Sequence, residues 1–501
     1  MKKTLALILA LMLVAVSLIA CSEGGNDTSK EESKADPVSQ ADESTADESE
    51  VDESSEECAY EHLKKFNFAD SEVLFLVVGD GKDRYKSIEI MPYEDSADAI
   101  REAVEDRNNQ VEALLHVTID EVRSDNFLVD ARNDLQGSGE YDIICPWMPD
   151  AATLASEGSL YDLYDYSDIL LLDKPYWDQG ANADLSFANK LYFTTGDFSL
   201  LTFDCTHAIV FNKTLCEQCG AENPYQLLRD DKWTFDALHR NAKLATADTD
   251  GTDGMKYTDT WGLILNENYT TSMFIGSGER ITTKDADDIP MLAIETQRAP
   301  TVVEKIREIT NDPESTILIE KQSVSGTGYK DVYYAASAAI GEDRALFRTL
   351  AIVDLGELDD FDCSYGVLPT PKFNEEQENY YNVVSAIMAT AFCIPMSAQD
   401  PEMSAAVGEA MSLFSTDTVR KAYYNTILKG RRIADEEGEF ALDIIFNNRV
   451  YEMATIYQFG SIYTVISDCA KSSSDIFTSK VESVKGSVEA AIEDLAEKFA
   501  D

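Results

Sequence analysis

The chain has 501 residues, of which 93 are Asp or Glu and 41 are Lys or Arg, for a net charge of −52. So large an excess of negative charge excludes a nucleic-acid partner and a basic membrane-docking face. With 44% apolar residues the core is sizeable, and a folded part of ~440 residues is too long for one simple core, so two lobes are expected.

Residues 1–20 combine Lys2 and Lys3 with an apolar stretch over 5–20, ending Leu18-Ile19-Ala20-Cys21. A basic start, a short apolar run and small residues at a cut site read as a secretory signal. The run is shorter than the ~20 residues a spanning helix needs. Leu18 to Cys21 is similar to the bacterial lipobox, which makes Cys21 the expected lipidation site and new N-terminus. Residues 22–58 are Ser, Glu, Asp, Thr and Ala with almost no large apolar side chain, and read as a solvated, self-repelling spacer. Export permits disulfides, but the pairing of the eight remaining cysteines cannot be deduced from sequence. Cys216-Glu-Gln-Cys219 has redox or metal spacing, but no second such pair or nearby histidine accompanies it. Structural or free thiols are therefore the expectation.

In the folded part, residues 73–78 (Val-Leu-Phe-Leu-Val-Val) read as a strand covered on both faces. Residues 97–115 place Ile100, Val104, Val111 and Leu114 at helical spacing. Strands are expected at 117–122, 141–145, 191–193, 208–211 and 262–265. Helices are expected at 153–157 (stopped by Gly158), at 212–219 (ending at Gly220), after the cap Thr234, and at 302–309, 405–414 and 481–499. Alternation of this kind implies an α/β architecture with mainly parallel sheets.

Residues 98–119, Tyr141-Asp142-Ile143-Ile144, Gly158-Ser159-Leu160-Tyr161-Asp162-Leu163, Phe211-Asn212-Lys213-Thr214-Leu215, Asn223-Pro224-Tyr225, Lys232-Trp233-Thr234-Phe235-Asp236, and Tyr365-Gly366-Val367-Leu368-Pro369-Thr370-Pro371-Lys372 resemble segments of extracellular solute-binding proteins of ABC importers, the last being similar to the strand by which the chain returns toward the first lobe. Their order and spacing resemble the carbohydrate-type, maltose-binding-like branch. The resemblance implies a two-lobed periplasmic-binding-protein-like (type II) fold with a ligand cleft. Lobe 1 would comprise 59–206 plus 364–414, and lobe 2 would comprise 207–363 plus 415–501. Crossings are expected near 205–207, 363–364 and 413–417. The implied partners are a small-molecule solute, expected to be a carbohydrate, the permease subunits, and the membrane through the lipid anchor. A monomer without cofactor or resident metal is expected.

Ligands of open α/β sheets sit at the carboxyl ends of strands, which points to the loops after Ile144, Phe193 and Leu265. Sugar sites use aromatic faces and carboxylate or amide acceptors. The ligand candidates are Trp147, Asp150, Asp197, Asp204, Asn268, Tyr269 and Arg348. Trp147 reads equally as a core indole, and Asp197 and Asp204 as solvated or capping carboxylates. Trp177 and Trp233 read as packing residues. Two departures from the family pattern stand out. Residues 248–254 form an acidic Gly-rich stretch without the phase of a calcium loop, although Asp259 falls at its twelfth position. Asp343 replaces a glycine expected before Arg344. The rival functions are binding of peptides or amino acids, disfavoured by few basic residues, and a surface carbohydrate-active enzyme. No G-x-S-x-G or H-E-x-x-H motif supports hydrolysis.

Overall fold

The computed structural model describes residues 59–500 apart from 83, 95, 138, 250, 252–254, 326, 431, 432 and 434. The expected signal, Cys21 and the acidic spacer lie outside the described residues. The apolar run at 73–78 forms strand β1 (Ser71–Val78), the centre of a parallel sheet with β2 (Val117–Ser124) and β3 (Ile143–Cys145) in the order β2-β1-β3. Its central place explains the unbroken apolar pattern: Val73, Phe75, Leu76, Val77 and Val78 are all buried. Strand β2 lies at the edge and alternates buried with exposed positions instead.

The helix Asp98–Leu115 turns Ile100, Val104, Val111 and Leu115 inward and ends at His116, whose φ of 54° is left-handed. The helix Pro401–Ser415 packs against it. Residues 390–395 run antiparallel beside β3, with Cys393 paired to Ile144 and Thr390 to Trp147. This late segment, which the sequence did not suggest as a strand, completes the first sheet.

The second sheet contains β4 (His207–Asn212), β5 (Trp261–Leu265), β8 (Thr316–Leu318), β9 (Ala345–Ala351) and β10 (Tyr365–Leu368), in the order β10-β4-β9-β5-β8. Between β5 and β8 a short hairpin forms from β6 (Thr282–Lys284) and β7 (Pro290–Leu292). Strands β5, β8 and β9 are parallel, whereas β4 is antiparallel to both of its neighbours. The expectation of mainly parallel sheets therefore holds for β1, β2 and β3 and for β5, β8 and β9, and fails at β4 and at the antiparallel segment 390–395. The physical reason lies in the path of the chain: it enters the second sheet along β4, so that strand starts where the others end. Residues 365–368 pair with β4 and belong to this sheet. The chain rejoins the first sheet at 390–395, not at β10.

Local signals explain most elements. Asn212, Asn223 and Thr234 cap their helices by accepting backbone N–H bonds, and Gly220 ends the first of these with a φ of 70°. Asp343 holds a φ of 57°, supplying the left-handed turn that a glycine would, and its carboxylate accepts from Asn212 Nδ2 at 2.6 Å. Gly262 in β5 admits the helix Phe235–Ala245 so closely that a Cβ would lie 1.9 Å from Ala242 O. Residues 191–193 are buried or half-buried but not a strand. The backbone of Leu191 bonds instead to Asp162 and Leu163 in a neighbouring turn. Trp177 and Trp233 are fully buried, as packing residues should be, and donate to Glu409 and to Pro369 O.

All seven described cysteines are thiols outside any disulfide. In the acidic loop, Asp259 accepts from Thr249 N, Thr249 Oγ1 and Lys256 N, and so closes a turn. Residues 250 and 252–254 of that loop lie outside the described residues. No helix among the described residues is long and apolar enough to cross a membrane.

Candidate functional site

Two cavities open at the strand ends of the two sheets. The first, of about 600 Å³, is formed by the loops that follow β1, β2 and β3. Gly79, Gly81 and Lys82 come from the first loop, Asp125 from the second, and Trp147 with Asp150 from the third. The loop after β1 needs its glycines here, because a Cβ on Gly79 would lie 2.3 Å from Asp125 Oδ1. Gly81 N donates to that same oxygen at 2.9 Å, which fixes the Asp125 carboxylate at the mouth. Trp147 is half-buried at the start of the helix Met148–Ser156, with Asp150 in that helix's first turn. Burial raises the Asp150 pKa, with Arg132 and Lys82 opposing.

The second cavity, of about 280 Å³, lies at the carboxyl ends of β5, β8 and β9 and at the start of the reversed strand β4. Asn266, Asn268 and Tyr269 follow β5; Ile319 follows β8; Arg348 to Ala351 and Asp354 close β9. His207, the first residue of β4, stacks on Tyr269 with ring centroids 5.2 Å apart and 21° between planes. Its Nδ1 pairs with Ser272 Oγ at 2.6 Å. Tyr269 and Ser272 are one helical turn apart, so a single helix face sets both contacts. Burial lowers the His207 pKa to about 4, leaving the ring neutral at physiological pH. The Tyr269 hydroxyl is occupied by Thr370 Oγ1 at 2.8 Å, so the residue serves as an apolar wall rather than a free hydrogen-bonding group.

Arg348 is buried to 1% exposure and reaches Asp354 Oδ2 at 3.3 Å and Ser337 Oγ. Arg84, from the loop after β1, spans from the first sheet to this network. Its Nε lies 2.8 Å from Asp354 Oδ1, and its Nη1 lies 3.3 Å from Glu357 Oε1. Ile387, with its exposed side chain, lines both cavities; the two adjoin there and together make up the candidate cleft.

The cleft gathers five of the sequence candidates: Trp147 and Asp150 in one cavity, Asn268, Tyr269 and Arg348 in the other. Asp197 and Asp204 line neither. Asp197 is buried and holds Thr416 Oγ1 at 2.7 Å and Arg420 at 3.2 Å, while Asp204 accepts from Tyr423 OH at 2.6 Å. Both carboxylates pin the segment that follows the helix Pro401–Ser415. Sequence reasoning missed Arg84, Tyr85, Asp125, His207, Tyr333, Asp354 and Ile387. Lys82, Arg84 and Tyr85 could have been found by applying the strand-end rule to β1 as well. His207 could not, since only a reversed strand brings its starting residue to the cleft.

No family model matches the chain, and no curated protein matches it. Solved structures do. A cyclo/maltodextrin-binding protein complexed with maltotetraose superposes with a TM-score of 0.52 at 10% identity, covering 85% of this chain and 97% of its own. UgpB from Mycobacterium tuberculosis, in complex with glycerophosphocholine, gives 0.52 at 12% identity, covering 78% and 95%. An ABC transporter solute-binding protein from Thermotoga lettingae bound with α-D-tagatose gives 0.50 at 14%, covering 85% and 100%. At such identities the likeness speaks for the fold: the chain has the two-lobed α/β architecture of ABC-transporter solute-binding proteins.

Proposed function

We propose that this protein captures a saccharide in the cleft and delivers it to an ABC importer, held outside the membrane by lipid on Cys21. The observation that carries the reading is the meeting of two cavities at the strand ends of two separate sheets, one with a half-buried indole and the other with a stacked Tyr–His wall. Aromatic faces suit the C–H faces of a sugar, and the surrounding Asn, Asp and Arg groups suit its hydroxyl edge. A ligand bridging both cavities contacts both lobes only when they are closed, so binding shifts the population toward closure and the permease reads the closed form. In this account the lobes are built on the three-stranded and five-stranded sheets, and no bond of the solute is made or broken.

Thermal shift and calorimetry against mono- and oligosaccharides, amino acids and peptides test the proposal, because native-state binding raises the melting temperature. A stabilising saccharide that is recovered intact is the expected result. Stabilisation by peptides alone supports the peptide-binding alternative, and a cleaved glycan supports the enzyme.

A further inference from the structure

The cavity at the ends of β5, β8 and β9 has an unexpected charge for so acidic a chain. Its charged lining consists of two guanidiniums, Arg84 and Arg348, and one carboxylate, Asp354; the ring of His207 and the phenols of Tyr85, Tyr269 and Tyr333 are neutral. The carboxylate is already engaged by both arginines, at 2.8 and 3.3 Å. Behind it, Glu357 accepts from Ser337 Oγ at 2.7 Å and lies 3.3 Å from Arg84, 3.4 Å from Lys330 and 3.9 Å from Arg348, so Arg84, Arg348 and Lys330 face two carboxylates and leave an excess of positive charge. Arg348 is 1% exposed, and its fully buried Nε has no hydrogen-bond partner among the described residues. A buried charged donor left unmatched is costly, which favours an acceptor supplied from outside the chain. Neutral sugar hydroxyls need acceptors as well as donors, yet the one carboxylate here is taken, which leaves only neutral amide and hydroxyl acceptors such as Asn266 and Asn268. A negative group needs only donors, and charge-assisted bonds are roughly twice as strong as neutral ones.

Resting on the saccharide-binding reading above, we infer that the solute is an acidic saccharide whose negative group, a uronate carboxylate or a sugar sulfate, docks against Arg348 and Arg84. The neutral part of the chain then extends past Ile387 toward Trp147. The low dielectric around Arg348 strengthens this pairing and shields it from counterions more than a surface pair would be.

Calorimetry on the purified full chain decides the matter, with tetragalacturonate, a sulfated galactan tetramer and maltotetraose as probes. One of the two acids is expected to bind at least tenfold tighter than maltotetraose in 50 mM salt, and which one identifies the anion. Arg84→Gln should collapse that preference toward unity, as should Arg348→Lys, which keeps the charge but removes the fork. If either variant fails to fold, the acid-to-neutral ratio of the unaltered protein still decides. Maltotetraose binding as tightly as both acids would overturn the inference while leaving the saccharide receptor intact. Binding of amino acids or peptides with no saccharide bound would overturn the receptor reading itself.

Discussion

Trp147→Ala separates a stacking indole from a core indole. The residue is half-buried and lines the larger cavity, with its back against the core and one face on the cleft. A sugar laid on that face would cover about half of the roughly 200 Å² that an aromatic side chain buries. At ~25 cal/mol per Å², the ~100 Å² involved is worth about 2.5 kcal/mol. That corresponds to an affinity loss of about 60-fold. That loss falls on the bound state alone, while the face packed on the core is worth a similar amount to the free protein, so the melting temperature of the unliganded variant should drop by about 5 °C with the fold retained. Calorimetry on whichever saccharide binds, paired with thermal unfolding of the free protein, measures both quantities. Unchanged affinity with a collapsed melting temperature would refute the reasoning and make Trp147 a core residue.

Three further outcomes follow from the packing. Glu409→Ala strands Tyr176 OH, Trp177 Nε1 and Leu171 N, all of which donate to a fully buried carboxylate, so urea unfolding should show a loss of at least ~3 kcal/mol. Gly262→Ala drives a methyl into Ala242 O and should cost ~1–3 kcal/mol by the same assay, with ligand affinity retained. Glu89 is buried, and its pKa is raised from the ordinary 4.5 to about 7 chiefly by that burial, with the hydrogen bond its carboxylate accepts from Ile88 N opposing. Between pH 4.5 and 7 the folded protein therefore holds a proton that the unfolded chain has released, and this group's contribution to stability declines as pH rises through that window. Glu89→Gln should remove the decline. Relative to the unaltered protein, the variant gains stability on the order of a few kcal/mol from pH 4.5 to pH 7.5, read from urea midpoints at the two values. Equal differences at both pH values would refute the burial of the acid.

How much was legible in the sequence depends on how local the cause was. The run at 73–78 and the helical spacing at 98–115 state their burial directly, and both elements formed as read. The caps at Asn212 and Thr234 are likewise set within three residues. The segment 390–395 carries no alternation, and its partners lie about 250 residues upstream, so nothing nearby marks it as a sheet edge. Residues 191–193 are apolar because they are buried, but their backbone is satisfied by a turn rather than a ladder, a distinction that composition does not carry.

The site divides in the same way. Trp147, Asn268 and Tyr269 follow visible strands, and the strand-end rule finds them. Arg84 with Asp354, and His207 with Tyr269, are pairs 270 and 62 positions apart, brought together by topology alone. Asp197 and Asp204 show the converse. A carboxylate near an expected crossing looked like a ligand group, but each is engaged in the packing of residues 416–423.

The most direct test of the account is equilibrium binding of an oligosaccharide to the purified protein, followed by recovery of the ligand. The account predicts one site per chain, a melting temperature that rises with ligand concentration, and a saccharide recovered unaltered. Absence of binding by every saccharide tried, or recovery of a cleaved product, would contradict it.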